Sequence, residues 1–261
     1  MRCACVCARS ARAAPASDEI TLTFGLPYIH SVFDVAAWLS SIAVFWFSTR
    51  RLLPAGSFPA DKVGHPGAYA LAAGCGALVG AMFFGTFNTW LSGVRAIGFS
   101  MAGGVAGAVA SVELFKHLTG IKGSTGIAFA APFCATVAVG RLGCFFAGLG
   151  DFTYGTPTTL PWGVDFGDGV QRHPVQLYEA LSMAAMLVVL LWRLRKRDPF
   201  WLANGFYIVV GWYGLQRFAW EFLKPYATWA GPFNVFHVVC AGLVLYAALM
   251  IRSGGRGCTT E

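Results

Sequence analysis

The sequence predicts an all-α integral membrane protein of seven transmembrane helices, with an extracytoplasmic insertion between helices four and five. Three observations predict it. Of the 261 residues, 56% are hydrophobic and only 12% are charged, and the mean hydropathy is +0.60. The apolar residues fall into blocks of about 20, the length a helix needs to cross a bilayer. The basic residues gather in short clusters beside alternate blocks, the pattern that orients a multi-pass chain.

Residues 1–27 are expected to form a disordered leader, followed by one seven-helix membrane domain over 28–252 and a cytoplasmic tail over 253–261. The leader carries Arg2, Arg9 and Arg12 but no apolar core of signal-peptide length. Cys3, Cys5 and Cys7 alternate in it. They form either a metal-binding run, which lacks a nearby fourth ligand, or part of a dispensable leader. Cys75, Cys134 and Cys240 sit in apolar blocks, where a thiol packs as a small hydrophobe.

The predicted spans are 29–49, 67–87, 97–116, 124–142, 176–194, 201–223 and 234–251. The first contains Asp34 and the third Glu113, each a reactive carboxylate or a structural counter-ion. The third also carries Gly103, Gly104 and Gly107. Small residues four apart suit close helix packing, and a thin face also leaves room for a lipid chain. The fourth ends in Gly140-Arg141-Leu142-Gly143-Cys144, and the fifth is entered through Arg172-His173-Pro174. The sixth contains Tyr213, Arg217 and Glu221, four residues apart on one face. Between the fourth and fifth, residues 143–175 form a polar insertion rich in Gly, Pro and Asp, which mark turns.

Arg50, Arg51 and Lys62, then Lys116 and Lys122, then Arg193, Arg195, Lys196 and Arg197 occupy alternate loops, and the tail adds Arg252 and Arg256. The opposite loops hold little beyond Arg95, Arg172 and Lys224. The positive-inside rule places the C-terminus in the cytoplasm, and the N-terminus and the insertion outside. The net charge of +7 is thereby explained by membrane orientation rather than by nucleic-acid binding.

Arg141 and Arg217 carry the chemistry. A charge in the middle of an apolar helix costs roughly 2.5–3.5 kcal/mol on insertion scales, so it faces a cavity or a partner. A guanidinium is always charged and offers a planar fork of donors that matches a phosphodiester. Two of them form a clamp for an anionic headgroup, or each is paired structurally, with Glu221 the natural partner for Arg217. Tyr213 donates to a phosphate oxygen or anchors at the interface. His173 is a general base or a residue at the helix entry, where Pro174 suits the first turn.

These residues resemble the prolipoprotein diacylglyceryl transferase family of bacteria. The resemblance rests on Gly140-Arg141-Leu142-Gly143, Tyr154-Gly155-x-Pro157, Leu160-Pro161-Trp162-Gly163 and Arg172-His173-Pro174-x-Gln176-Leu177-Tyr178-Glu179. Weaker echoes are Ser48-Thr49-Arg50-Arg51, Gly103-Gly104 and Tyr213-x-x-x-Arg217-x-x-x-Glu221-Phe222. The resemblance implies an enzyme of the bacterial inner membrane that moves the diacylglyceryl group of phosphatidylglycerol onto a lipobox cysteine of a prolipoprotein signal peptide. Glycerol 1-phosphate leaves, and no metal or organic cofactor takes part. It further implies that Arg141 and Arg217 hold the headgroup with Tyr213 beside them. Gly155, Gly103, Gly104 and Cys144 fall at substrate-binding positions, and His173 is a substitute base.

Three departures touch the acceptor side. The histidine that precedes Gly-Gly in the family is Ala102, the asparagine after Gly-Arg-x-Gly is Cys144, and an aromatic phenol of the first helix aligns with Phe33. A different acceptor, or a non-catalytic phospholipid-binding protein that kept the clamp, is the competing reading. A channel or transporter is weaker, because the sequence shows no inverted repeat and no pair of broken helices.

Overall fold

The computed structural model describes residues 28–57 and 63–255. The leader with its cysteines, Lys62 and the tail from Arg256 lie outside the described residues. Within them the chain forms seven long α-helices: α1 Ile29–Arg51, α2 Pro66–Leu91, α3 Met101–Thr119, α4 Ile127–Ala147, α5 Val175–Arg195, α6 Pro199–Glu221 and α7 Val235–Gly255. Each matches an apolar block. Five of them, α1, α2, α4, α5 and α7, are long and apolar enough to cross a membrane. α3 is diluted by glycine, Glu113 and Lys116, and α6 by Asn204, Gln216, Arg217 and Glu221. Several such helices in one chain are the mark of a multi-pass membrane protein.

The helix ends follow local rules. Pro66 and Pro199 open their helices, where a missing N–H costs nothing. Ser100 caps α3 by accepting from Gly103 N at 3.3 Å, and Asp198 caps α6 by accepting from Phe200 N at 3.0 Å. α3 stops at Gly120, whose φ of 71° suits glycine.

Packed pairs fix the helix directions. Glycines let α2 and α3 touch backbone to backbone: a Cβ on Gly107 would strike the Gly76 carbonyl, and one on Gly103 the Gly80 carbonyl. α1 runs against α4, with Phe33 on Gly143 and Phe45 stacked near Phe129. α5 runs against α6, with Glu179 bonded to Arg217 and Leu190 against Gly205. α4 and α6 run parallel, joined by Phe133 on Tyr213 and Ile127 beside Gly205. α7 runs against α6 and alongside α3, whose Glu113 accepts from Tyr246. Odd and even helices therefore alternate in direction. Arg50, Arg51, Lys116, Arg193, Arg195 and Arg252 gather at one end, and the insertion caps the other.

α4 is the most buried helix and lies between α1, α5 and α6. The α2–α3 pair packs closely on itself but only lightly on α7. A cleft results between that pair and α4, α6 and α7.

The insertion is more ordered than a run of turn residues suggests. α4 continues to Ala147, a 3-10 turn spans Gly148–Asp151, and a short antiparallel ribbon follows with β1 Val164–Asp165 on β2 Gln171–Arg172. At its tip Asp165 accepts from the amides of Gly167, Asp168 and Gly169. A second stretch joins the ribbon as Gly155 N donates to His173 O at 3.1 Å and His173 N to Thr156 O at 3.1 Å. Thr156 N donates to Leu223 O at 2.6 Å, tying the insertion to the end of α6.

Candidate functional site

At the insertion end the cleft widens into a cavity of about 440 Å³. Arg141, Cys144, Arg217, His30, Asp151, Asn88 and Ser100 line it, together with Tyr226 and Phe236.

Arg141 reaches this cavity from the last turns of α4 and Arg217 from the last turns of α6, and parallel α4 and α6 bring them together. Both are buried, at 9% and 4% exposure. Glu179, one turn into α5, lies between them. Its Oε1 accepts from Arg217 Nη1 at 2.8 Å and from Lys224 Nζ at 2.8 Å, while Oε2 contacts Arg141 Nε. Glu221 takes the other side of Arg217, Nε to Oε2 at 3.1 Å. Three buried cations thus face two buried carboxylates. The cluster keeps one positive charge in excess, and unpaired buried charge is costly in low dielectric. An anion in the cavity would neutralise it. Burial, and then the charge of Arg217, hold the Lys224 ammonium down to about 8. Burial and the Glu221 carboxylate push the Tyr226 phenol up.

Tyr213 is fully buried beneath the two arginines. Its ring meets Phe133 edge-on, and its hydroxyl has no hydrogen-bond partner among the described residues. It lies behind the cavity wall rather than in the lining.

The other expected site residues separate into those at the cavity and those away from it. Cys144 is in it, with Arg141 Nη1 donating to its Sγ at 3.8 Å. His173 is not: its ring faces Tyr178, whose hydroxyl lies 3.4 Å from Nδ1. A base must reach the proton it removes, and the structure does not bring His173 to the cavity that holds Arg141 and Arg217. Gly103 and Gly104 face α2 and serve helix packing. A Cβ on Gly155 would strike the His173 carbonyl, so close packing within the insertion requires glycine there. Ala102 is wholly buried beside Ser100 and Met101, which line the cavity. Phe33 covers Gly143 and stacks on Phe146. Glu113 is occupied by Lys116 at 2.9 Å and by Tyr246 at 2.7 Å, beside a second, apolar cavity of about 360 Å³ further along the cleft. Arg172 bonds Asp168 at 2.6 Å and covers the Tyr154 ring, which stiffens the ribbon. The hydrogen bond from Arg172 holds the Asp168 carboxyl below its usual range.

One residue escaped sequence reasoning altogether. His30, in the first turn of α1, lies 3.8 Å from Cys144 Sγ and 3.4 Å from Asp151 Oδ1 through Nε2, while Nδ1 meets Asp34 Oδ2 at 2.9 Å. The spacing His30-x-x-x-Asp34 at a helix start was the available signal. By sequence Lys224 is a loop charge, because the fold that buries it against Glu179 is not local.

The family model described as prolipoprotein diacylglyceryl transferase matches residues 30–252. Among curated proteins, the phosphatidylglycerol–prolipoprotein diacylglyceryl transferase of Methylococcus capsulatus is 27% identical over 261 residues, covering 92% of this chain and 96% of its own. The protein of the same name from Nitratidesulfovibrio vulgaris strain DP4 is 28% identical, with the same coverage. That of Solidesulfovibrio magneticus is 32% identical over 227 residues, covering 76% of this chain and 83% of its own. No solved structure matches. A match that runs from the first turn of α1 to the end of α7, and takes in both arginines and the whole insertion, places this chain in the prolipoprotein diacylglyceryl transferase family.

Proposed function

We propose that the protein transfers the diacylglyceryl group of phosphatidylglycerol to the thiol of a lipobox cysteine, releasing glycerol 1-phosphate. The observation that carries this reading is the buried cluster of Arg141, Arg217 and Lys224 against Glu179 and Glu221, one positive charge in excess at the head of a cavity. A phosphodiester supplies the missing negative charge. As the carbon–oxygen bond breaks, the departing phosphate gains charge, and donors already fixed by Glu179 stabilise it without reorganising. The lipid chains run along the cleft toward the apolar cavity beside Glu113 and Tyr246. The chain crosses the bacterial inner membrane seven times, with its N-terminus and the insertion outside and its basic end in the cytoplasm. Donor and acceptor meet at the outer face.

The second reading is a phospholipid-binding protein without transfer activity, and Ala102 and Cys144 favour it because both stand where the family carries polar side chains. Purified protein in vesicles with phosphatidylglycerol and a lipobox peptide decides between the two. The transferase reading expects the peptide to gain one diacylglyceryl mass per glycerol 1-phosphate released. Lipid binding that Arg141→Ala abolishes, with no mass gain on the peptide, would establish the binding protein instead.

A further inference from the structure

We infer that His30, Cys144 and Asp151 form a zinc-type metal site with one coordination position open toward the cavity, where it takes the acceptor thiolate. The three ligand atoms lie within 4.8 Å of one another. His30 Nε2 is 3.4 Å from Asp151 Oδ1 and 3.8 Å from Cys144 Sγ. Around a tetrahedral zinc, bonds of about 2.0 Å to nitrogen and oxygen and 2.3 Å to sulfur put N and O about 3.3 Å apart and N and S about 3.5 Å apart. The two His30 distances match those edges within a few tenths of an ångström, and the third edge, from Asp151 to Cys144, lies within 4.8 Å.

The supporting contacts also fit. A ligand histidine commonly gives its other ring nitrogen to a carboxylate, and His30 Nδ1 lies 2.9 Å from Asp34 Oδ2. Asp151 is held through its second oxygen, which accepts from Thr153 Oγ1 at 2.8 Å. Sequence explains the convergence. Cys144 lies in the last turn of α4 and Asp151 ends the 3-10 turn that follows it. Gly143, with no Cβ, lets Phe33 and the first turn of α1 settle against that point. All three ligands line the cavity that holds Arg141 and Arg217.

The role assigned to the metal rests on the transferase reading, while the ligand set does not. Three protein ligands with a fourth position free is the arrangement of a catalytic zinc, and a coordinated thiol is deprotonated outright. The acceptor thiol loses its proton to water on binding the metal. Its sulfur then forms a bond to the glyceryl carbon as the carbon–oxygen bond to phosphate breaks, and that electron pair leaves on glycerol 1-phosphate.

Cobalt(II) is the probe. Tag-free full-length protein carrying Cys3→Ser, Cys5→Ser and Cys7→Ser is stripped with chelator under reducing conditions and titrated with cobalt. One cobalt per chain with a thiolate-to-cobalt absorption band is expected. Cys144→Asn should remove the band, and Asp34→Asn, which meets the far nitrogen of His30, should weaken binding about 10–100-fold. Gel filtration shows whether each variant stays folded. A lipobox cysteine peptide should intensify the band, and its serine counterpart should not. No band in folded parent protein, or a band that persists in folded Cys144→Asn, overturns the site. Thioether formation at full rate in chelated protein overturns the metal's role and leaves the transferase reading standing. Cobalt and peptide binding without glycerol 1-phosphate release sustains the site and removes the transferase reading.

Discussion

Replacing Glu179 with glutamine tests how the anion site is built. Glu179 meets Arg141, Arg217 and Lys224 at once, the latter two at 2.8 Å, and is 1% exposed. Glutamine keeps the shape but turns an amide donor toward one of the three cations and removes the negative charge. Three cations would then face Glu221 alone, and the excess rises from one charge to two. Removing one partner of a buried ion pair costs about 3–5 kcal/mol. For a chain of this size that corresponds to a fall in Tm of roughly 6–20 °C. Thermal unfolding of the purified protein in detergent measures it. Phosphatidylglycerol should raise the Tm of Glu179→Gln more than that of the parent, because the added anion relieves a larger excess. A variant as stable as the parent, with the same lipid response, would refute the claim that Glu179 organises the cluster.

Other consequences are separately testable. Lys224 titrates at about 8 in the folded protein, against an ordinary 10.5, so headgroup affinity should fall as pH rises through about 8; Lys224→Arg should flatten that profile in a lipid-binding titration. Stability moves the other way. Between those two values the unfolded chain binds more protons than the folded one, so unfolding free energy should increase with pH in that window, read from denaturation midpoints. His173→Ala should leave transfer within a few-fold of the parent, since its ring faces Tyr178 away from the cavity; a loss of orders of magnitude in kcat would restore it as a base. Gly155→Ala should destabilise the protein by about 1–3 kcal/mol through overpacking, because the new methyl meets His173 and Val175; an unchanged Tm would contradict that packing.

The helices were legible because bilayer-length apolar blocks and capping residues are local signals. Arg141 and Arg217 were legible because a cation in an apolar block has few explanations. What joins them was not. Glu179 lies 38 residues from Arg217 and Lys224 lies 45 from Glu179, and only the antiparallel packing of α5 on α6 makes them one network. His30 stayed hidden for the same reason, being 114 residues from Cys144. His173 is the converse case. Its polar neighbours in sequence suggested a site, but its backbone is occupied in the ribbon and its ring lies on Tyr178. Gly103 and Gly155 sit against a neighbouring backbone, and glycine signals close approach without naming what approaches.

The most direct measurement is the dependence of transfer on phosphatidylglycerol concentration for Arg141→Ala and Arg217→Ala, with Arg172→Ala as the comparison. Each arginine is held to contact the donor phosphate, and truncating one partner of a buried charge-assisted contact costs 2–5 kcal/mol, so kcat/KM should fall between about 30-fold and several thousand-fold. Arg172, engaged by Asp168 at the ribbon, should change it little. Equal kcat/KM in the parent, Arg141→Ala and Arg217→Ala would show that the buried cluster is not the donor site.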